Sequence, residues 1–275
     1  MFDKEAIEAL QHGGGIYEAG NAVRAAFAET SVVALPEHFT ERDLEKYLPS
    51  RRRARGVMTT SALKDFAAYA TAHAEAGASV FVDAGEMSAT AVLNLGTPEK
   101  PGHTDNRAKL QAQQTAAYRA LLQHACGRGL TQTVAAEFLE DWPDLIECFN
   151  EQGLIKPPKA IAAIRKLTIE AMRKLESSEQ SLSASKSAFE SVQATSADPI
   201  PTTIYFKCVP YKDLAERLFV LRLGVQTGSD KTSIVLRIVK AELHAEEMAN
   251  ELADLVRDSL NGTMPVLLGA YAKTN

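Results

Sequence analysis

The sequence is short of the residues from which compact catalytic, metal and disulfide motifs are made. Its three cysteines, Cys126, Cys148 and Cys208, lie far apart and form no Cys-x-x-Cys pair. That excludes a disulfide scaffold or a zinc ribbon and fits reduced thiols in a cytoplasm. No apolar run reaches the roughly eighteen residues that a membrane-spanning helix needs. The start, Met1-Phe2-Asp3-Lys4-Glu5, lacks the basic and apolar regions of a secretory signal, so none is expected. Charge of one sign is also modest. A formal net charge of −5 and a pI near 5.8 give no global attraction for phosphate backbones. Ser/His/Asp and His-Glu-x-x-His patterns are missing.

What is present is the composition of an ordinary globular chain. With 275 residues, 45% of them hydrophobic and 24% charged, it can bury a core in one large or two smaller domains. Periodicity then places the elements. Helices are expected over Lys4 to Gln11 and Tyr17 to Glu29, separated by a hinge or turn at Gly13-Gly14-Gly15. A short extended run, Ser31 to Leu35, ends at Pro36, and a polar helix around Glu41 to Tyr47 closes at Pro49. Thr60 or Ser61 is positioned to cap a helix whose stripe is Leu63, Phe66, Ala67, Ala70 and Ala74. Ser79 to Asp83 and Ala89 to Leu95 form a hairpin around Gly85. The Gly96 to Gly102 loop leads to a helix expected from about Arg107 to His124. Thr131 caps a further helix, and Pro143 is expected to restart it so that Leu145, Ile146 and Phe149 continue inward.

Gly153 and Pro157-Pro158 mark a linker. The chain is therefore divided into an N-terminal α+β region, 1–155, and a C-terminal part, 156–275, which are allowed to pack as one unit. From Ile161 through Ile164, Thr168, Ala171 and Leu175 to Val192, apolar positions step by threes and fours along one helical seam. Beyond Leu175 the serine-rich segment competes with helix, and a strand from Leu182 to Ala194 is the alternative. Thr203 to Val209, Arg217 to Gln226 and Thr232 to Val239 are strands, the last two joined by a five-residue loop, Thr227 to Lys231. Because this hairpin is apolar on both faces, cover by helices or by another subunit is expected on each side. A helix from Glu242 to Leu260 follows, with Met248, Leu252, Leu255 and Val256 as the stripe that lies on that sheet. The fold class is α+β, with antiparallel sheets and packed helices.

Three clusters are candidates for chemistry. Arg51, Arg52, Arg53 and Arg55 present guanidinium forks suited to phosphate, and Gly56 lets a backbone approach. The plainer reading is a solvated turn paired with Asp43 and Glu45, since aromatic residues for base stacking are not interleaved. His103, Asp105 and Arg107 gather a base, a carboxylate and a cation in one loop. Here the plainer reading makes Asp105 a helix cap and His103 a loop residue. Gly13-Gly14-Gly15 lacks the Lys-Ser/Thr of a phosphate loop, and the cysteines have no basic neighbour in a nucleophile motif, so they are read as small core residues. No catalytic residue, metal ligand or cofactor is assigned.

Several segments nevertheless carry a likeness. Leu44-Glu45-Lys46-Tyr47-Leu48-Pro49-Ser50-Arg51-Arg52-Arg53, Phe81-Val82-Asp83 with Ala91-Val92-Leu93-Asn94, and Gly102-His103-Thr104-Asp105 followed by Thr115-Ala116-Ala117-Tyr118 form the first group. Ser187-Ala188-Phe189-Glu190, Cys208-Val209-Pro210-Tyr211 and Leu236-Arg237-Ile238-Val239 form the second. Together, from about Pro36 to Gly269, they resemble the YfdQ-like phage and prophage proteins, a family that is a domain of unknown function. The resemblance implies a temperate phage or prophage source and a genetic setting among early, non-structural genes, including recombination functions. It implies no site residues. Two readings result: a non-enzymatic phage protein in the bacterial cytoplasm that assembles with itself into a ring, cage or filament, or a nucleic-acid-binding accessory of recombination or host interference. The expected partners are further copies of the chain, with nucleic acid or a host protein as the other possibility and no membrane.

Overall fold

The computed structural model describes residues 4, 13–15, 17, 21, 45, 48–167, 199–227 and 232–272. The chain divides into two compact units, Met1–Ala54 and Arg55–Asn275. In the first, Lys4, Gly13, Gly14, Gly15, Tyr17 and Asn21 have helical backbone. This corrects the expected turn at the glycine triplet. Glycine in a helix costs about 1 kcal/mol relative to alanine, which is a penalty and not a prohibition. The expected strand Ser31 to Leu35, most of the helix around Glu41 to Tyr47, the seam beyond Leu167 and the loop 228–231 lie outside the described residues.

The second unit holds two sheets. The first is ordered β1-β4-β3-β2-β11, from Gly56–Thr60 (β1), Ser79–Asp83 (β2), Ser88–Val92 (β3), Asn106–Gln111 (β4) and Val266–Leu268 (β11). β1 is parallel to β4, β11 is parallel to β2, and β3 runs antiparallel between β2 and β4. Helices α1 (Leu63–His73) and α5 (Ala241–Ser259) cover it, α1 against β4 and α5 against β2 and β11. Phe66, Ala67 and Ala70 of α1 and Met248, Leu252 and Val256 of α5 are buried. The stripe of α5 thus packs chiefly on the first sheet and not, as the sequence suggested, on the C-terminal hairpin.

The second sheet is antiparallel throughout, ordered β5-β10-β9-β8-β6-β7. Its strands are Cys126–Leu130 (β5), Ile146–Asn150 (β6), Gly153–Ile155 (β7), Thr203–Cys208 (β8), Arg217–Thr227 (β9) and Thr232–Ile238 (β10). Strands from before and after residue 155 interleave in it. Helices α2 (Ala116–His124), α3 (Gln132–Asp141) and α4 (Pro157–Lys166) lie against β5, β10 and β6 respectively. The α+β class, the hairpin of β9 and β10 and the helix after it agree with the sequence pattern.

Several local expectations change. Residues 106–111 are a strand and not the start of a helix, because Asn106, Ala108 and Leu110 are buried while Arg107 and Lys109 alternate outward. The helix begins only at Ala116, where Thr115 accepts a hydrogen bond from the Tyr118 amide at 3.2 Å. Thr131 caps α3 through the Val134 amide, as its position suggested. Pro143 starts a single 3-10 turn, after which Ile146 enters β6, so no helix continues inward. Pro157-Pro158 opens α4, where proline's fixed φ and missing N–H suit the first turn. Gly56–Thr60 forms an edge strand that the sequence pattern did not place, and α1 begins after Ala62 with no side-chain cap, the Thr60 hydroxyl accepting from the Ala62 amide instead. Among the described residues, helices cover only one side of the hairpin. Its inner face, Phe219, Leu221, Leu223, Val225, Ile234, Leu236 and Ile238, is buried, whereas Leu218, Arg222 and Arg237 on the outer face are exposed.

The loop between β3 and β4 is drawn tight. The buried Asn94 side chain accepts from the Asn106 amide at 3.1 Å and donates to Asp105 at 2.8 Å, while the Gly102 amide donates to the Leu95 carbonyl. A Cβ on Gly102 would fall 1.9 Å from the Asn94 carbonyl oxygen, so the backbone there has no room to give. Gly102→Ala is expected to destabilise the fold by about 1–3 kcal/mol through overpacking. Urea unfolding should show a lower midpoint at unchanged slope.

Candidate functional site

The arginine run enters the structure as an irregular, exposed approach to β1. Arg51, Arg52 and Arg55 are exposed and Arg53 is half-buried, and the Arg52 amide donates to the Glu45 carboxylate at 3.1 Å. That bond is made by the Arg52 backbone and not by a guanidinium, and Asp43 lies outside the described residues. The unit boundary falls between Ala54 and Arg55.

The second cluster is taken up by the β3–β4 loop. Asp105 accepts from Asn94, and its carbonyl accepts from the Gly56 amide at 2.8 Å, which starts the pairing of β1 with β4. Arg107 Nε donates to the Thr104 carbonyl at 2.8 Å, and its guanidinium stands 5.3 Å from the centre of the Tyr271 ring. Tyr271 in turn packs on Phe81 at 4.9 Å. Thr104 has a positive φ of 56°, so the loop is bent sharply beside these groups. His103 is exposed. Asp105 and Arg107 thus tie strands and tail together, and no hydrogen bond from His103 to either of them is present.

Sequence reasoning missed one concave feature. An open cleft of about 750 Å³ lies where β1 and β4 end, between the turn after β2 and the start of α2. Thr60, Ser61, Gln111, Gln114, Arg119 and Tyr211 line it, together with Glu86 as its one carboxylate. Two of its amides already have partners. Gln111 donates to the Glu86 carbonyl at 2.9 Å and Gln114 to the Tyr211 hydroxyl at 3.4 Å. The wall is mostly neutral and hydrogen-bonding and holds no histidine or cysteine, so it offers a polar surface and no nucleophile with its base. Its residues come from four separated stretches of chain, which no local motif could have joined.

Elsewhere the titratable groups serve structure. Arg217 at the start of β9 reaches α5, bonding Glu247 at 2.7 Å and Glu251 at 2.8 Å. Arg165 of α4 forms a two-pronged pair with Glu140 of α3, which holds that carboxyl below its ordinary range. Among the described residues, no group of three or more His, Cys, Asp or Glu could hold a metal ion. No helix there is long and apolar enough to cross a membrane.

The model of one protein family, described as "uncharacterized conserved protein (DUF2303)", matches residues 4–271. The chain belongs to this family. No curated protein and no solved structure matches it. Membership in DUF2303 spans both compact units and almost the whole sequence, and it brings no assigned site residues to the cleft or to either cluster.

The thiols of this DUF2303 chain differ sharply in environment. Cys126 is exposed on β5, whereas burial pushes Cys148 and Cys208 up to about 12, with Glu216 adding to the shift at Cys208. At pH 8 a thiol reagent should modify one cysteine per native chain, Cys126, and all three after unfolding. Both buried thiols are raised above their ordinary value of 9.0, so the unfolded chain loses these protons first. Their contribution to stability should hold below about pH 9 and vanish as pH rises toward 12. Urea unfolding across that range checks the sign.

Proposed function

We propose that this is a phage- or prophage-encoded accessory protein that works by assembling with copies of itself, through contacts and not through covalent chemistry. The phage source rests on the resemblance of its segments to the YfdQ-like proteins. The assembly rests on one observation, the two open edges of the first sheet.

A sheet that does not close leaves a row of backbone N–H and C=O groups on each outer strand, and proteins usually blunt such edges with charge, proline or a covering element. β1 reads Gly-Val-Met-Thr-Thr and β11 reads Val-Leu-Leu, so neither carries a charge or a proline. Val57 is 63% exposed on one edge, and Leu267 and Leu268 are 49% and 64% exposed on the other. Among the described residues β1 pairs with β4 alone and β11 with β2 alone. The pairings make β1 and β11 run in the same direction, and Val57 and Leu267 stand on the same face of the sheet. β1 of one copy laid against β11 of the next would extend the sheet by one more parallel pair, joining Val57 and Leu267 in a continuous apolar strip. Such a head-to-tail contact closes into a ring or runs on as a filament, according to its rotation.

Light scattering on the purified chain should give a mass that is a multiple of 29.8 kDa at micromolar concentration. Thr59→Lys together with Leu267→Lys puts a charge on each edge and should return the protein to single chains with its fold intact. A wild-type chain that is monomeric at every concentration measured would end this reading.

A further inference from the structure

We propose that the outer face of the second sheet binds single-stranded nucleic acid, with Arg222 and Arg237 holding the backbone and Phe149 and Tyr205 stacking against bases. This is a different surface from the arginine run before β1, and it does not depend on the assembly reading.

The register puts Arg222 of β9 directly opposite Arg237 of β10. Side chains opposed in this way have Cβ atoms about 5 Å apart, where like charges repel and weaken the pairing. Both arginines are exposed. Arg222 donates to the Thr203 hydroxyl at 2.9 Å, a neutral partner that removes no charge. No carboxylate is paired with either one among the described residues. Their neighbours on this face are Cys126, opposite Arg237, and Val220 and Val235, none of which is acidic. Among the described residues the cationic pair in the middle of the strand ladder has no acidic compensation, and a phosphate between the two forks would supply it.

The same row continues into aromatic residues. Reading across the strands it runs Arg237, Arg222, Thr203, Phe149 and Leu154. At the usual spacing between neighbouring strands, Arg237 and Phe149 stand about 14 Å apart. Phe149 and Tyr205, both half-exposed, pack ring to ring at 4.7 Å. Of the acidic groups on this side, Glu147 stands opposite Tyr205 in register, beside the rings and two strands from Arg222, and Glu216 binds Lys207 at 2.7 Å. Positive charge therefore lies at one end of the row and flat rings at the other. Cations beside stacking platforms are the arrangement that grips single strands without reading sequence. An acidic peptide would use the arginines but give the rings no flat partner.

Fluorescence anisotropy with a labelled oligothymidylate of about twenty bases, at about 50 mM salt, tests the proposal. Wild type should bind, and Arg222→Thr with Arg237→Thr should weaken binding tenfold or more and lower the salt slope by about 0.7, the share of the one phosphate that is no longer neutralised. Phe149→Leu should weaken it about fivefold or more with the slope unchanged. The double-threonine variant should unfold at the same or a higher temperature, because a repulsive pair has been removed, and should keep the wild-type mass. The proposal is overturned if wild type fails to bind the oligonucleotide, if the double variant binds as well as wild type, or if polyglutamate binds in its place.

Discussion

The pairing register of β9 decides what this protein shows to its surroundings. The strand lies between β8 and β10, and its side chains alternate across the sheet. Phe219, Leu221, Leu223 and Val225 point into the core, against Phe206, Ile204, Leu236 and Ile234 of the flanking strands. Leu218, Val220 and Arg222 point the other way. A slip of one residue would exchange the two sets, so burial of the apolar face fixes the place of every outward residue at the same time. Arg217 adds a tie at the beginning of the strand, binding the two glutamates of α5 and linking the second sheet to the helix that covers the first. The hydrogen bonds between 113–115 and 209–212 join the sheets again at the exit from β4.

With the core so arranged, chemistry recedes and surfaces remain. Asp105 and Arg107 secure the β3–β4 loop, Glu140 and Arg165 secure two helices, and Cys148 and Cys208 sit buried as small core residues. The cleft beside Arg119 is polar but has no base set against a nucleophile. By contrast the first sheet has two uncharged edges, and the second has an outer face on which two arginines oppose each other. Both features cost stability within a single chain, and both proposals made above start from that cost.

Much of this was legible in the sequence where the signal is local. The alternation in 217–238, the capping position of Thr131 and the apolar stripe of α5 each name their element from neighbours in the chain. The failures lie where partners are distant. Asn106–Gln111 has the polar composition of a helix start, and only its place between β1 and β3 shows that Ala108 and Leu110 are inward residues of a strand. β1 follows four arginines, and its pattern names no element until β4 pairs with it. Ile146 and Phe149 fit a helical continuation as well as a strand until β8 settles them. The cleft is assembled wholly from such distant pairings, and the row joins the Arg222–Arg237 pair of the local hairpin to Thr203 and Phe149 only through β8 and β6.

The claim that edge strands join copies of the chain can be examined at the contact itself. Val57→Cys on β1 and Leu267→Cys on β11, introduced together with Cys126→Ser, place one thiol on each open edge. Under mild oxidation the account predicts a ladder of disulfide-linked multimers, with neither single variant extending beyond a dimer. A double variant that remains a single chain on a non-reducing gel would contradict it.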